Sequence, residues 1–289
     1  PPTEDLARLV KTALGESPPG RQVLVLAAEL PLRSVTLPEA AITDKTKAIM
    51  PVHLYGHAAD MPRFKAICDK HNLALIEDAA QSHGAKIGDD FAGTWGTASF
   101  SFYPTKNLSG CGDAGAVLTN SDELAEKMIS LRLHGQIGQY QHKIIGGNFR
   151  IDALHAAILN IKLPHLPEWN EARRRNAELY KQKLVDLPIT LPVELDGYTH
   201  VYHQYTIRVD PAKRDGLTAA FKENGIGFGV FYPTSLHQQE CFKYLNQDQG
   251  RLPHSEAASK GCVSLPVHPL LTEAQIDEVC AVIKGYLQS

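Results

Sequence analysis

The stretch SFSFYPTKNLSGCGDAGAVLTN, residues 99–120, sets a lysine between two apolar runs, and the reading of its glycines decides the fold. Ala98 to Phe102 and Ala116 to Thr119 are short, apolar and bounded by turn residues, the pattern of buried strands. Gly110, Gly112 and Gly115 satisfy the letters of the dinucleotide-binding pattern G-x-G-x-x-G. That pattern holds a pyrophosphate only where it follows a strand and opens a helix, because the helix N-terminus supplies the N–H donors. Here it follows the lysine loop and runs into a strand, so it reads as a turn supporting Lys106.

Outward from that loop, strand-like segments at Gln22 to Leu26, Lys47 to Val52 and Leu73 to Ile76 alternate with helix-like segments at Met61 to Asn72 and Ser121 to Arg132. The alternation predicts an α/β fold with a mainly parallel sheet. Asp152 to Leu163 sets Leu154, Ala157, Ile158, Ile161 and Leu163 on one helical stripe, and the polar helix Glu168 to Leu187 reads as a connector. From His200 onward the pattern is a strand (Val201 to Val209), a helix (Leu217 to Glu223), a glycine-punctuated strand (Gly225 to Phe231), a loop and a closing helix (Glu273 to Leu287). Residues 1–163 are therefore read as a large domain, and 164–289 as a connecting helix with a small α+β domain. Residues 1–34 add a helix-like LARLVKTALG and the strand-like QVLVLAA.

The 289 residues carry 29 Lys and Arg against 32 Asp and Glu, a formal charge of −3, which provides no basic field for a nucleic-acid backbone. No apolar window is long enough to cross a bilayer, so a membrane is not an expected partner. Five cysteines without CxxC pairs read as reduced thiols, and the opening Pro1-Pro2-Thr3-Glu4-Asp5 lacks the regions of a signal peptide. Cytoplasmic residence and small-molecule ligands are expected. The histidines, among them His53, His83, His134 and His237, show no metal-ligand spacing such as HExxH, and no metal is predicted.

In IEDAAQSHGA, residues 76–85, Asp78 and Gln81 follow an apolar strand, and the carboxyl ends of parallel strands are where ligands bind. Asp78 equally suits a capping role and Gln81 a surface amide, while an isolated loop lysine such as Lys106 is most often solvated.

Taken together and in order, PVHLYG (51–56), IEDAAQSHGA, FSFYPTKNLSGCGDAGAV (100–117) and GGNFRIDALHAAILNIKL (146–163) resemble the DegT/DnrJ/EryC1/StrS family, with VYHQYTIRV, FYPTSLHQQ and VSLPVHPLLT similar to its small domain. The resemblance runs from about Thr43 to the C-terminus. It implies a pyridoxal 5'-phosphate (PLP) enzyme of the aspartate-aminotransferase fold, fold type I, with Lys106 as the Schiff-base lysine. It further implies Asp78 on the pyridinium nitrogen, Gln81 beside the ring near its hydroxyl, Ser101 on the phosphate, and Asn148 reaching the phosphate of a partner's cofactor in a homodimer. The implied reaction moves an amino group, from glutamate in most of the family, onto a keto group of a nucleotide-linked sugar. Lysine rather than histidine at 106 favours transamination over dehydration, and His155 stands where the family usually has Gln. Ahead of Leu37 the family carries a Gly-Thr or Ser-Gly-Thr helix start and an aromatic residue over the ring, and residues 1–36 show neither. The alternative expectation is a shortened, non-catalytic homologue acting as a dimerising or regulatory partner.

Overall fold

The computed structural model describes residues 22–27, 39–245, 250 and 252–288, so the helix expected in LARLVKTALG lies outside the described residues. The strands β1 (Gln22–Ala27), β2 (Thr46–Val52) and β3 (Ala74–Asp78) pair in parallel, and α1 (Met61–His71) crosses between β2 and β3. Asp60 starts α1 by accepting from the Arg63 N–H, and left-handed Asn72 (φ 51°) ends it. The face of α1 formed by Met61, Phe64, Ile67 and Cys68 packs on Ile49 and Leu75 of the sheet. Each such side chain, fully buried, contributes about 1.5–3 kcal/mol.

Beyond β3 come two short strands, β4 (Lys86–Ile87) and β5 (Asp90–Phe91), before β6 (Thr97–Ser101) pairs in parallel with β3 and β7 (Gly115–Leu118) pairs antiparallel with β6. The sheet order β1-β2-β3-β6-β7, with β7 alone reversed, is the mainly parallel α/β sheet expected. The glycine turn does lead into a strand. It is closed by Gly110 N–H donating to the Phe102 carbonyl and Phe102 N–H donating to Ala114.

Ser121 caps α2 (Asp122–Arg132), which leads through a hairpin, β8 (Gln136–Gly138) and β9 (Gln141–His142), to α3 (Ala153–Lys162) and α4 (Leu166–Leu184). The stripe expected on α3 is not its buried face: Leu154, Ala157, Ile161 and Leu163 are exposed and Ile158 is half-buried. The buried residue of the helix is Leu159, which lies off that stripe and packs with Leu108 and Leu166.

The second half holds β10 (Tyr198–Thr199), β11 (Tyr205–Arg208), α5 (Pro211–Glu223), α6 (Pro253–Gly261), β12 (Cys262–Leu265) and α7 (Glu273–Gln288). A second core gathers Tyr180 and Leu184 of α4 with Tyr205, Ile207, Phe221, Val263, Ile276 and Ile283. Two expected strands differ. The Val201 to Val209 strand is confined to Tyr205–Arg208, because His200, Val201 and His203 are buried against the first half, where Val201 N–H donates to the Gly56 carbonyl. Gly225 to Phe231 makes a single bridge, Gly229 to Ser264, and the strand that pairs with β11 is β12, inside the stretch read as loop. The polar helix α4 is more than a connector, since Tyr180 and Leu184 belong to the second core and Asn170, Arg173 and Asn176 are buried.

Candidate active site at the carboxyl ends of β3 and β6

Asp78, the last residue of β3, sits opposite Ser99 in β6, and Ser101 closes β6 two residues later. The parallel pairing therefore brings both strand ends to one edge of the sheet. There a cavity of about 610 Å³ is lined by Ser101, Tyr103, Lys106, Asp113 and Arg150, together with the flanking backbone. Lys106 is half-buried in its wall. Burial holds its amine below the ordinary lysine range, and the charge of Asp78 works in the opposite direction. A lysine so placed keeps a larger neutral fraction near pH 7 than a solvated one, and the neutral form is the nucleophile.

The remaining expected residues fall in different places. Asp78 Oδ1 accepts from Ala80 N–H at 3.1 Å, a turn bond of the capping kind, which occupies one of its oxygens. Ser101 Oγ accepts from Tyr103 N–H at 3.3 Å, so its hydroxyl hydrogen is not used in that bond. Gln81 stands at the same end of the sheet but outside the cavity wall. Its Oε1 accepts from Tyr55 N–H at 2.7 Å, where Tyr55 has φ 59°, and its Nε2 donates to the Tyr232 hydroxyl at 3.4 Å. Asn148 is exposed, its Oδ1 accepts from Arg150 Nε at 2.9 Å, and it does not line the cavity, although Phe149 to Ile151 do.

Three successive side chains fix the loop that follows the lysine. Asn107 is buried and bonds to Asn170, Val201 and His203. Leu108 packs with Phe102, Leu159 and Leu166. Ser109 receives Lys162 Nζ on both its carbonyl (2.5 Å) and its hydroxyl (2.7 Å). The glycine turn then passes under His155, whose ring would lie about 3.2 Å from a Cβ at Gly110 or Gly112, so a side chain at either position is tight and requires the ring to give by a few tenths of an ångström. His155 is itself held by Asp152 at 2.6 Å.

Two histidines near the lysine were not singled out as site residues in the sequence. His83 is buried against Phe100 and Phe102, with ring centroids 5.3 and 5.8 Å away. Burial and then the charge of Lys106 bring its pKa down to about 4, against the Ser101 backbone. His203 is held down to about 3 by burial, Lys106, Arg173 and His83. Both are neutral imidazoles at physiological pH, so neither adds a positive charge beside the lysine. His83 lies two residues past Gln81 in a motif already marked, and that adjacency was its only signal.

Directly before Asp78, the buried Glu77 accepts from the backbone N–H groups of Gly93 (2.7 Å), Trp95 (2.8 Å) and Gly96 (2.7 Å) and from His53 Nε2 (2.9 Å). His53 Nδ1 accepts from Ala59 N–H, which puts the ring hydrogen on Nε2, facing Glu77. Since His53 N–H also donates to the Asp78 carbonyl, this hub clamps the end of β3 that presents Asp78.

Comparison with known proteins gives the same family for most of the chain. Residues 32–284 match the model of the DegT/DnrJ/EryC1/StrS aminotransferase family, starting a few residues ahead of the Leu37 limit read from the motifs. The chain is 50% identical over 242 residues to a "Pleiotropic regulatory protein" of Geobacillus stearothermophilus, covering 82% of this chain and 64% of that protein. It is 44% identical over 250 residues to a UDP-N-acetyl-3-dehydro-alpha-D-glucosamine 3-aminotransferase of Acidithiobacillus ferrooxidans, covering 86% and 67%. The chain thus spans about two thirds of the length of these relatives. Among solved structures, S. venezuelae DesV in complex with a ketimine intermediate superposes with a TM-score of 0.89 at 34% identity, over 99% of this chain and 83% of that one. The fold, the order of the motifs and these matches agree, and the chain belongs to the DegT/DnrJ/EryC1/StrS aminotransferase family.

Proposed function

We propose that this chain carries the PLP site of a nucleotide-sugar aminotransferase, which moves an amino group from glutamate onto a keto group of its sugar substrate. The observation that carries the reading is the half-buried Lys106, its amine shifted down, under the charge of Asp78 in the cavity that Ser101 also lines. The names of relatives, such as the Acidithiobacillus enzyme and a dTDP-3-amino-3,4,6-trideoxy-alpha-D-glucose transaminase of Streptomyces venezuelae at 39% identity, support the substrate class. The donors fit the cofactor: the Lys106 amine for its aldehyde and the Ser101 hydroxyl and Arg150 guanidinium for its phosphate line the cavity, while the Asp78 carboxylate for its ring nitrogen stands outside that lining but close enough to act on the Lys106 amine.

When bound, PLP supplies an electron-withdrawing ring that stabilises negative charge on a carbon losing a proton. Lys106 would hold the aldehyde through Nζ, and the same atom would take up and return the proton that moves in the transfer. Asp78 keeps a proton on the ring nitrogen. Gln81 orients the ring from beside its hydroxyl, and the Ser101 hydroxyl donates to the phosphate. Asn148 reaches the partner's cofactor in a homodimer. Cytoplasmic residence belongs to the same reading, supported by five cysteines of which none is in a disulfide.

A regulatory reading draws on one finding, the printed name of the Geobacillus relative. The presence of Asp78, Gln81, Ser101 and Lys106 together weighs against it. The deciding experiment incubates the chain with PLP, reduces it with borohydride and locates the label by peptide mass. A violet-edge absorbance and a label on Lys106, both lost in Lys106→Ala, are expected. A colourless chain with no label in excess PLP favours the regulatory reading.

A further inference from the structure

Asn107, next to the lysine, is buried and uses both its amide hydrogens and its amide oxygen. Its Nδ2 donates to Asn170 Oδ1 at 2.8 Å and to the Val201 carbonyl at 3.0 Å, and its Oδ1 accepts from His203 Nδ1 at 3.2 Å. Asn170, on α4, passes the chain on by donating to the His83 carbonyl at 2.8 Å. Arg173, one turn later, donates to the carbonyls of Tyr202 (3.1 Å) and His203 (3.5 Å). Three of these partners, Val201, Tyr202 and His203, belong to the second half of the molecule, while His83 belongs to the turn after β3.

Buried amides and imidazoles add little net stability, because each gives up its bonds to water, and apolar groups of the same shape would serve as well. What a buried hydrogen-bonded network does provide is one geometry, since displacing its members leaves further donors or acceptors unpaired at about 1–3 kcal/mol each. This network converges on the residue covalently adjoining Lys106. We propose that His203, Asn107 and Asn170 are positioning residues, which hold Lys106 in its half-buried place at the cavity wall and tie that place to α4 and to residues 201–203. The inference rests on the reading of Lys106 as the cofactor lysine.

The test titrates the Lys106 amine without cofactor. The chain is treated with trace acetic anhydride across a range of pH, and acetylation of Lys106 is read by peptide mass. Asp78 at the end of β3 acts on the amine; the other titratable and charged groups around it are Asp113 and Arg150 in the cavity wall and the histidines His83 and His203, with Arg173 acting on His203, and all remain in the variants except the residue replaced. In His203→Phe, which keeps a ring but has no donor, Lys106 loosens toward solvent and its titration moves up toward the ordinary lysine value. Labelling near neutral pH then falls by about threefold or more, half a pKa unit. His203→Asn, whose amide can donate from the position of Nδ1, retains the parent profile. A folded His203→Phe chain that labels like the parent, or a His203→Asn chain that behaves like His203→Phe, overturns the proposal. If His203→Phe does not fold, Asn170→Ala removes the other side-chain partner of Asn107; slower labelling supports the proposal and an unchanged profile overturns it. Failure of the parent to take PLP leaves this titration readable, so the two readings fail separately.

Discussion

Asp78 acts on the Lys106 amine, and the sign of that interaction can be measured at a single residue. The Asp78 charge raises the Lys106 amine against the downward pull of burial. Asp78→Asn keeps an oxygen for the Ala80 N–H and removes the charge, so the amine falls further and acetylation of Lys106 near neutral pH rises by about threefold or more. An unchanged or slower rate would show that the carboxylate does not act on this lysine. Gly56 tests the contact between the two halves. Its φ is +99° and a Cβ there would lie 2.8 Å from His203 N and 2.9 Å from Val201 Cγ2, whereas at Gly88 (φ +58°) a Cβ meets nothing within 4 Å. Gly88→Ala therefore carries the left-handed cost alone, about 1 kcal/mol, and Gly56→Ala about 3 kcal/mol or more, compared by denaturant midpoints. That Asp78 and Ser101 end neighbouring strands, with Lys106 in the loop just beyond, was legible in the sequence because each follows an apolar strand-like run at a short fixed offset. His203 and Asn107 were not, because what distinguishes them is a pairing across 96 residues with no local signature.

At the scale of elements, β3 ends in two carboxyl groups with different surroundings, Glu77 fully buried among N–H donors and Asp78 half-buried, bonded to the Ala80 N–H and acting on the Lys106 amine. Burial pushes the Glu77 carboxyl up, but His53 and the backbone N–H groups outweigh it, and its pKa lies below the ordinary 4.5. A carboxyl lowered on folding contributes stability above its unfolded pKa and loses it as pH falls through the folded one. The stability of the chain should thus decline below about pH 4.5, and Glu77→Gln should cost about 3 kcal/mol at neutral pH while flattening that acid slope. Urea unfolding of both chains from pH 7 to pH 4 checks it; equal slopes would remove Glu77 as the source. The strands and α1 could be read ahead of the structure because their apolar residues are contiguous or follow one period. The burial of α4 could not, since Asn170, Arg173 and Asn176 look like a solvated face until the carbonyls of His83, Tyr202 and His268 arrive to satisfy them. Likewise β12 (CVSL) is short, and only its pairing with β11 marks it as a strand.

At the scale of the molecule, one stretch among the described residues carries several large apolar side chains uncovered. Ile137, Tyr140, Ile145, Phe149, Leu154 and Ile161, from the β8–β9 hairpin through α3, are all exposed, Tyr140 to 85% and Leu154 to 79%. A monomer rarely keeps so many large apolar side chains in water within one stretch of chain, and this stretch contains Asn148, which the homodimer reading sends to the partner's cofactor. A two-fold dimer would bury these side chains twice and build two composite sites, each with Lys106 from one chain and Asn148 from the other. Tyr140→Glu with Leu154→Glu should then give a particle of half the mass in sedimentation, with Lys106 unchanged in sequence but poorer in PLP. The sharper test mixes chains. Lys106→Ala and Asn148→Ala should each be nearly inactive alone, but a heterodimer has one site with both defects and one with neither. Random pairing of equal amounts puts half the dimers in that class, so about a quarter of the parent activity should return on mixing, after the parent is shown to take PLP. Sites complete within one chain would return none, and a mixture that stays inactive while the heterodimer is seen by mass would remove Asn148 from the partner's site without touching the assignment of Lys106.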